Sequence, residues 1–417
     1  MTQQRSRSTG AGRPRTAPSG WPFWRDFLSF VVTLALLGQW IVLHEIAHGR
    51  LGAFWGTMLP GLAIFGAATL LSWGAELAQL EITQALALAF LALVAVLPEY
   101  AVDMYLAWRA AKEPAYTAFA AANMTGANRL LIGVGWSVVL LVYWASSRAR
   151  AIHVKPAQRL ELLTLLLATG YAFCIPLKRT LSLLDTVVLG GLFVLYIRRA
   201  SQGRVEEPGL AGPPERIALL PRRWRRLVTV LLFLVPAYAI FIAAEPFANG
   251  LLHNARRLGI EEFILIQWLA PLASEAPEFI VAVLFALRQN PAAGLGILVS
   301  SKVNQWTLLI GMLPLVYAIS GGQPHPMMLD QRQVEEIFLT AAQSLLALVV
   351  LADLTFGLGE AVLLLSLFVV QFACPTPQIR VVLGYIYLII AGGYLCRRGV
   401  RRAFFELFRV GWRGNPP

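Results

Sequence analysis

Two short stretches, AVLPEYAVD at 95–103 and SEAPEFIVA at 274–282, each set a Pro-Glu pair inside a long apolar run. Glu99 and Asp103 are four residues apart and Glu275 and Glu278 three apart, so on a helix each pair of carboxyls shares one face. A proline inside a membrane helix removes a backbone donor and strands a carbonyl that lipid cannot satisfy, so Pro98 and Pro277 mark breaks that face protein or water. A carboxylate in hydrocarbon costs about 2.5–3.5 kcal/mol even on the mildest scale. Four of them are therefore expected to face one another and a cation or proton. One kink with stray acids is ordinary in a helical bundle. Two related copies point instead to one ion site shared by two halves of the chain.

A second motif competes with this reading. HEIAH at 44–48 is a literal H-E-x-x-H, which on a helix puts His44 and His48 one turn apart, able to hold zinc with Glu45 as base. The alternative is thus an intramembrane zinc metalloprotease. Site-2-type enzymes of that kind take a third ligand from an Asp in an Asn-Pro-Asp-Gly-like motif, and Asp185, Asp330 and Asp353 precede Thr, Gln and Leu. The segment also sits at the end of an apolar run, where polar residues are common. A lone H-E-x-x-H without its third ligand ranks below two matching acidic segments.

The elements that must position these residues follow from composition. Of 417 residues 57% are hydrophobic and 14% charged, and the mean hydropathy is +0.63. That excludes a water-soluble globule and calls for a polytopic membrane protein. With about 20 apolar residues per span, twelve spans are predicted, at 27–46, 57–78, 84–108, 115–145, 160–177, 181–197, 226–253, 263–287, 292–319, 334–352, 357–374 and 379–396. The net charge of +12 need not mean nucleic acid. With the N-terminus inside, 24 of the 35 Lys and Arg fall on the cytoplasmic side, eight on the other and three within spans. This is the positive-inside asymmetry, so no acidic partner is required. Cys174, Cys374 and Cys396 have no paired spacing and imply neither a disulfide framework nor a metal cluster.

A basic stretch at 198–225 divides the chain into hydrophobic halves. In each half an acidic patch precedes the apolar run that ends in Pro-Glu, and the next span carries an amide-rich interruption, ANMTGANR at 122–129 and SSKVNQW at 300–306. A five-span unit, repeated once, inverts its second copy in the bilayer, the pattern of secondary transporters with a site at the midplane. The division expected is a disordered basic tail at 1–25, an extra helix at 26–50, repeats at 57–197 and 226–374 joined by the 198–225 linker, an extra helix at 379–396 and a basic tail at 397–417. Glu245, before Pro246, is a third intramembrane acid, either a proton relay or part of a cavity-lining kink. Glu76, Glu81, Glu261 and Glu262 are expected at the surface.

The paired Pro-Glu segments, each followed by a span with Asn among small residues, resemble the alpha repeats of the sodium/calcium exchanger superfamily, the calcium:cation antiporters. That family carries Gly-Thr-Ser-Leu-Pro-Glu in the first helix of each repeat and Gly-Asn-x-x-Gly-Ser-Asn in the second. Here Val94-Ala95-Val96-Leu97-Pro98-Glu99 and Ala273-Ser274-Glu275-Ala276-Pro277-Glu278 keep Pro and Glu and lose most hydroxyl donors. Asn123, Thr125, Gly126 and Asn128 follow the second motif, with Arg129 directly after them, while Lys302 stands where the family has Gly or an amide. The resemblance implies ten core helices and Glu99 and Glu278 as central cation ligands, with Asp103, Glu275, Ser274, Asn123, Asn128 and Asn304 around them. Lys302 and Arg129 are expected to compensate charge.

The expectation is therefore an all-α polytopic membrane protein of two inverted five-helix repeats with one extra span at each end. It would be no enzyme but a secondary active antiporter of small inorganic cations (Ca2+, Na+ or H+) by alternating access. It would lie multi-pass in the cell (inner) membrane with both termini cytoplasmic, and use no cofactor. No G-x-x-x-x-G-K-[ST] loop is present, so an ion gradient should drive it.

Overall fold

The computed structural model describes residues 23–47, 52, 54–78, 80, 97–201, 210, 212–259 and 261–410. Over these the chain is helical, with four short strands. The first half holds α1 (Phe23–Val42, ending in a π-helical turn Leu43–Ala47), α2 (Trp55–Ala78), α3 (Leu97–Ala110), α4 (Ala115–Leu130), α5 (Ser137–Ser147), α6 (Arg159–Ala172), α7 (Cys174–Lys178) and α8 (Leu183–Ala200). The short α9 (Pro213–Ile217) lies in the linker. The second half holds α10 (Arg222–Leu258), α11 (Glu262–Leu287), α12 (Pro291–Asn304), α13 (Ile310–Gly321), α14 (Gln331–Val350), α15 (Leu358–Ala373), α16 (Pro377–Cys396) and α17 (Arg398–Val410).

All twelve predicted spans carry helix. The 84–108 segment does so from Leu97, since 81–96, including Glu81 and Val94 to Val96, lies outside the described residues. Eight helical runs among the described residues are long and apolar enough to cross a membrane, or nine with the two arms of α11 taken together. The others fall short for plain reasons. The described part of α3 has 14 residues, α15 has 16, and α8 carries Asp185, Arg198 and Arg199. As expected for a bilayer solvent, large apolar side chains such as Phe241 and Ile389 are exposed on the outside, while the interior is filled mostly by Ala and Leu, with Trp136, Trp306 and Phe356 among them.

Strand β1 (Ala151–His153) pairs antiparallel with β4 (Thr355–Gly357), and β2 (Thr180–Leu181) with β3 (Met327–Met328). Each pair staples a loop of the first half to a loop of the second. Because α6 and α7 run between β1 and β2, the two pairs lie at opposite ends of the bundle. Charge assigns the β1/β4 end to the side expected to be cytoplasmic.

Two local features repeat in both halves. After each amide-rich segment the helix widens into a π turn, Leu131–Trp136 in the first half and Gln305–Leu309 in the second, a defect that often marks a functional site. Each of these helices also brings a glycine onto the backbone of α11. A Cβ at Gly126 would collide with the carbonyl of Gln267, and one at Gly294 would lie 2.5 Å from that of Ala282. The first arm of α11 (Glu262–Glu275) meets the second (Glu278–Leu287) at 55°, so the break expected at Pro277 is present.

The extra spans are attached peripherally, α1 along α2 and α16 along α14. The stretch expected as a basic tail is in part a helix, α17. Its sequence RGVRRAFFELFRV is amphipathic, and Leu407 is buried against the bundle while its arginines face outward. In the linker, Arg216 of α9 pairs with Asp26 of α1 at 2.5 Å.

Candidate cation site

α3, α4, α11 and α12 pack against one another at the centre of the molecule, two from each half. Glu99 opens α3 within the described residues and is 3% exposed, and neither of its carboxylate oxygens has a hydrogen-bond donor. Its carboxyl lies beside that of Glu275 from α11. Asp103, one turn on, is fully buried, and its Oδ1 accepts from Asn123 Nδ2 of α4 at 2.9 Å. In the second half the same logic recurs, since Gln305 of the π turn donates through Nε2 to Glu275 Oε1. In each half a carboxylate next to the Pro-Glu pair is thus held by an amide from the following helix.

Several buried oxygens remain without a donor among the described residues: both of Glu99, Asp103 Oδ2, Asn123 Oδ1, Glu275 Oε2 and Glu278 Oε2. An undonated carboxylate in a dry interior is costly unless a cation or proton meets it. Glu278 is half-buried one turn beyond Glu275, in electrostatic contact with it. Direct contact with Glu99 therefore belongs to Glu275 rather than to Glu278. Ser274 Oγ donates back to its own helix, to the carbonyls of Ala270 and Pro271 at 3.3 Å, leaving its lone pairs free to accept or ligate. Among the described residues no three His, Cys, Asp or Glu side chains converge tightly enough to hold a metal ion. The carboxyls stand as pairs and not as a closed cage.

Lys302 and Asn128, at matching places in the two amide-rich segments, meet across the halves. Lys302 Nζ donates to Asn128 Oδ1 at 2.7 Å and lies 4.3 Å from the centre of the Trp306 ring. It is 1% exposed and within electrostatic reach of Glu275 and Glu99. Asn304 Oδ1 accepts from Tyr100 OH at 3.0 Å, another bridge between halves.

Arg129 requires a correction. It does not balance the Pro-Glu carboxylates but forms a buried ion pair with Glu336 of α14 at 2.6 Å and lies over Trp268 at 5.1 Å. Glu336 and its neighbour Glu335 are in turn met by Arg380 of α16, at 3.6 and 3.0 Å. The reason is geometric: consecutive helical residues point about 100° apart, so Asn128 and Arg129 serve different neighbours. Removing one member of such a pair leaves an uncompensated buried charge, at a cost of about 3–5 kcal/mol. Arg129→Gln and Glu336→Gln are each expected to lower the thermal midpoint of the purified protein sharply, and the double variant Arg129→Met/Glu336→Leu to regain most of it. A double variant no better than the singles would mean the two do not act as a pair.

Other expectations resolve simply. His44 Nδ1 lies 3.2 Å from Glu45, Glu45 accepts from Tyr238 OH, and His48 lies outside the described residues. Glu245 accepts from Tyr105 OH of α3 at 3.4 Å. Glu261 and Glu262 pair at the surface with Arg332 and Arg256. The three cysteines are free and exposed. The sequence reading did not single out Tyr100, Gln305, Trp306 or Glu336. The first three stand inside the quoted motifs, where a polar or aromatic residue next to a carboxylate was the available signal.

The comparisons with known proteins bear on the family and the fold. The family model described as sodium/calcium exchanger protein matches residues 52–201 and 228–374. The crystal structure of the H+/Ca2+ exchanger CAX is 41% identical over 94% of this chain and 99% of its own, with a TM-score of 0.90. Two more distant structures share the fold. They are native YfkE, at 15% identity and TM-score 0.58 over 83% of this chain and 98% of its own, and the sodium-calcium exchanger NCX_Mj, at 17% and 0.52 over 78% and 99%. No curated protein sequence matches the chain. With a family model covering both halves and a relative of this identity over nearly the full length, the chain belongs to the sodium/calcium exchanger protein family, as a multi-pass, two-repeat membrane cation antiporter and not an enzyme.

Proposed function

We propose that this antiporter exchanges Ca2+ for H+ by alternating access, with Glu99, Glu275, Asp103 and Glu278 as the groups over which the two ions compete. The observation that carries the reading is the meeting of the Glu99 and Glu275 carboxyls across the two halves, with undonated oxygens on both. Two facing carboxyls in a dry site share a proton when no metal is present. A calcium ion, which takes six to eight oxygen ligands at about 2.3–2.6 Å, replaces those protons by drawing the carboxylates, Asn123 Oδ1, Ser274 Oγ, Asn128, Asn304 and backbone carbonyls around it. Closure around the ion then completes what stands here as separate pairs. Glu278 joins from the bent arm of α11.

Two further points support protons over sodium as the counter-ion. The relative of 41% identity is an H+/Ca2+ exchanger. The site also has few hydroxyls: Thr125 Oγ1 is bonded back to the Ala121 carbonyl at 2.7 Å, and the amine of Lys302 occupies a place in the second half's amide-rich segment. The membrane concerned is the cell membrane, with both termini cytoplasmic, and the repeats are 57–197 and 226–374.

The test is flux in proteoliposomes holding the purified chain. A pH gradient should drive calcium against its own gradient, with a matching proton current and no requirement for sodium or potassium. Calcium movement that follows a sodium gradient and ignores pH would overturn the assignment of the counter-ion.

A further inference from the structure

α17, RGVRRAFFELFRV, turns outward a face that no described residue covers. Val400, Ala403, Phe404 and Leu407 form the stripe that packs against the bundle. Arg398, Arg401, Phe405 and Phe408 follow one another at three- and four-residue spacing, so they share a second face. Phe405 is 59% and Phe408 47% exposed, and each ring touches that of Phe404 edge-on, at 6.0 and 6.1 Å between centroids. Arg402, Glu406 and Arg409 occupy the third side and are also exposed. The helix thus sets four arginines against one acid, and none of the four is in an ion pair among the described residues.

Its position decides what meets the second face. α17 follows the span α16 after a single residue, Arg397, whose extended backbone (φ −71°, ψ 121°) turns the chain. It packs on α6 and on the turn Leu351–Asp353 that leads into β4. The helix is therefore tethered at the β1/β4 end, at the level where α16 leaves the hydrocarbon. The wall beside it is apolar on its outer side, with Val382, Tyr385 and Ile389 of α16 exposed. An amphipathic helix held at that level, with aromatic rings set among arginines, has the composition of one that lies in a membrane interface. A bilayer satisfies both kinds of side chain at once. Headgroup phosphates match the guanidinium fork, and the boundary with the acyl chains takes the rings. Water would leave both phenylalanines uncovered.

We propose that the Arg398, Arg401, Phe405 and Phe408 face of α17 binds anionic phospholipid headgroups of the leaflet at the β1/β4 end. One side of the helix then rests on the bundle, the second on the membrane, and the third, with Glu406, on water. This surface is independent of the ion exchanged at the central site.

The test uses the full-length protein in nanodiscs of phosphatidylcholine with and without phosphatidylglycerol. Each arginine near an anionic surface contributes about fivefold in binding. Amide hydrogen exchange over 398–410 is therefore expected to slow by about tenfold or more when phosphatidylglycerol is present, and the difference to shrink at high salt. Arg398→Gln/Arg401→Gln should remove the dependence on phosphatidylglycerol, with unchanged exchange in α14 reporting an intact fold. A nitroxide attached in Phe408→Cys, with Cys174, Cys374 and Cys396 replaced by serine, should be reached by oxygen dissolved in the bilayer more readily than by a water-soluble nickel complex. One attached in Glu406→Cys should show the reverse. Equal exchange in the two lipid mixtures would overturn the proposal, as would a nitroxide at 408 reached chiefly by the nickel complex. Protection that appears only when a soluble acidic protein is added would give this face to such a partner, and the lipid assignment would fall.

Discussion

Glu99→Gln is expected to abolish calcium transport while leaving the protein folded. The carboxyl is buried, carries two undonated oxygens and meets Glu275 across the halves. An amide keeps its volume but removes the charge and turns one ligand atom into a donor aimed at Glu275. Calcium affinity depends on ligand charge over many decades, so losing one of the central carboxylates should weaken binding by roughly two orders of magnitude and take flux below detection. The protein itself should not suffer. A buried carboxyl without donors destabilises the apo fold, and its amide carries no charge to desolvate, so the thermal midpoint without calcium should stay or rise. Glu275→Gln is expected to behave alike, although it also loses the acceptor for Gln305. Glu99→Asp should retain weak transport. Vigorous calcium flux in Glu99→Gln with unchanged affinity would move the site away from these helices.

Much of this arrangement was legible in the sequence, and the reasons differ between its parts. The spans were legible because a bilayer forces about 20 apolar residues per crossing. The central carboxyls were legible because acids are expensive at that depth and Pro98 and Pro277 flagged the breaks. Side-chain direction was not. Arg129 adjoins Asn128, and only the course of α14 and α16 reveals that Glu336 and Arg380 wait on its side of the helix. Asn304 and Gln305 are adjacent at the junction of α12 with the π turn, and consecutive helical residues point about 100° apart, so Gln305 holds Glu275 while Asn304 reaches Tyr100. Which of the two amides faces the carboxyls depends on how α12 is turned against α11, which no spacing rule applied to SSKVNQW could anticipate. The helix at 398–410 was overlooked because charge dominated the reading, whereas Val400, Ala403, Phe404 and Leu407 form a stripe against the bundle.

Lys302 offers the second large effect, and in the opposite direction. Its amine is buried, held by Asn128 and Trp306, and within electrostatic reach of the two carboxyls that meet across the halves. In its protonated form it lowers the number of mobile charges the site can hold and repels a divalent ion more strongly than a monovalent one. At an effective dielectric constant of about 20 and a separation on the order of 8 Å, a unit charge opposes a calcium ion by roughly 4 kcal/mol. Even heavily discounted for water admitted to an open site, that is at least about tenfold in affinity. Lys302→Met, which keeps the length and the packing on Trp306 but drops the charge, is therefore expected to bind calcium more tightly in titrations of the purified protein. Its turnover should fall, because a site that holds its cation too firmly releases it slowly. Lys302→Arg keeps the charge and should stay near the wild-type affinity, which separates charge from shape. The vacated charge should also let a small monovalent cation compete, so sodium is expected to inhibit calcium binding in Lys302→Met and not in the wild type. Unchanged calcium affinity and sodium insensitivity in a folded Lys302→Met protein would mean that the ammonium only fastens Asn128 to the second half.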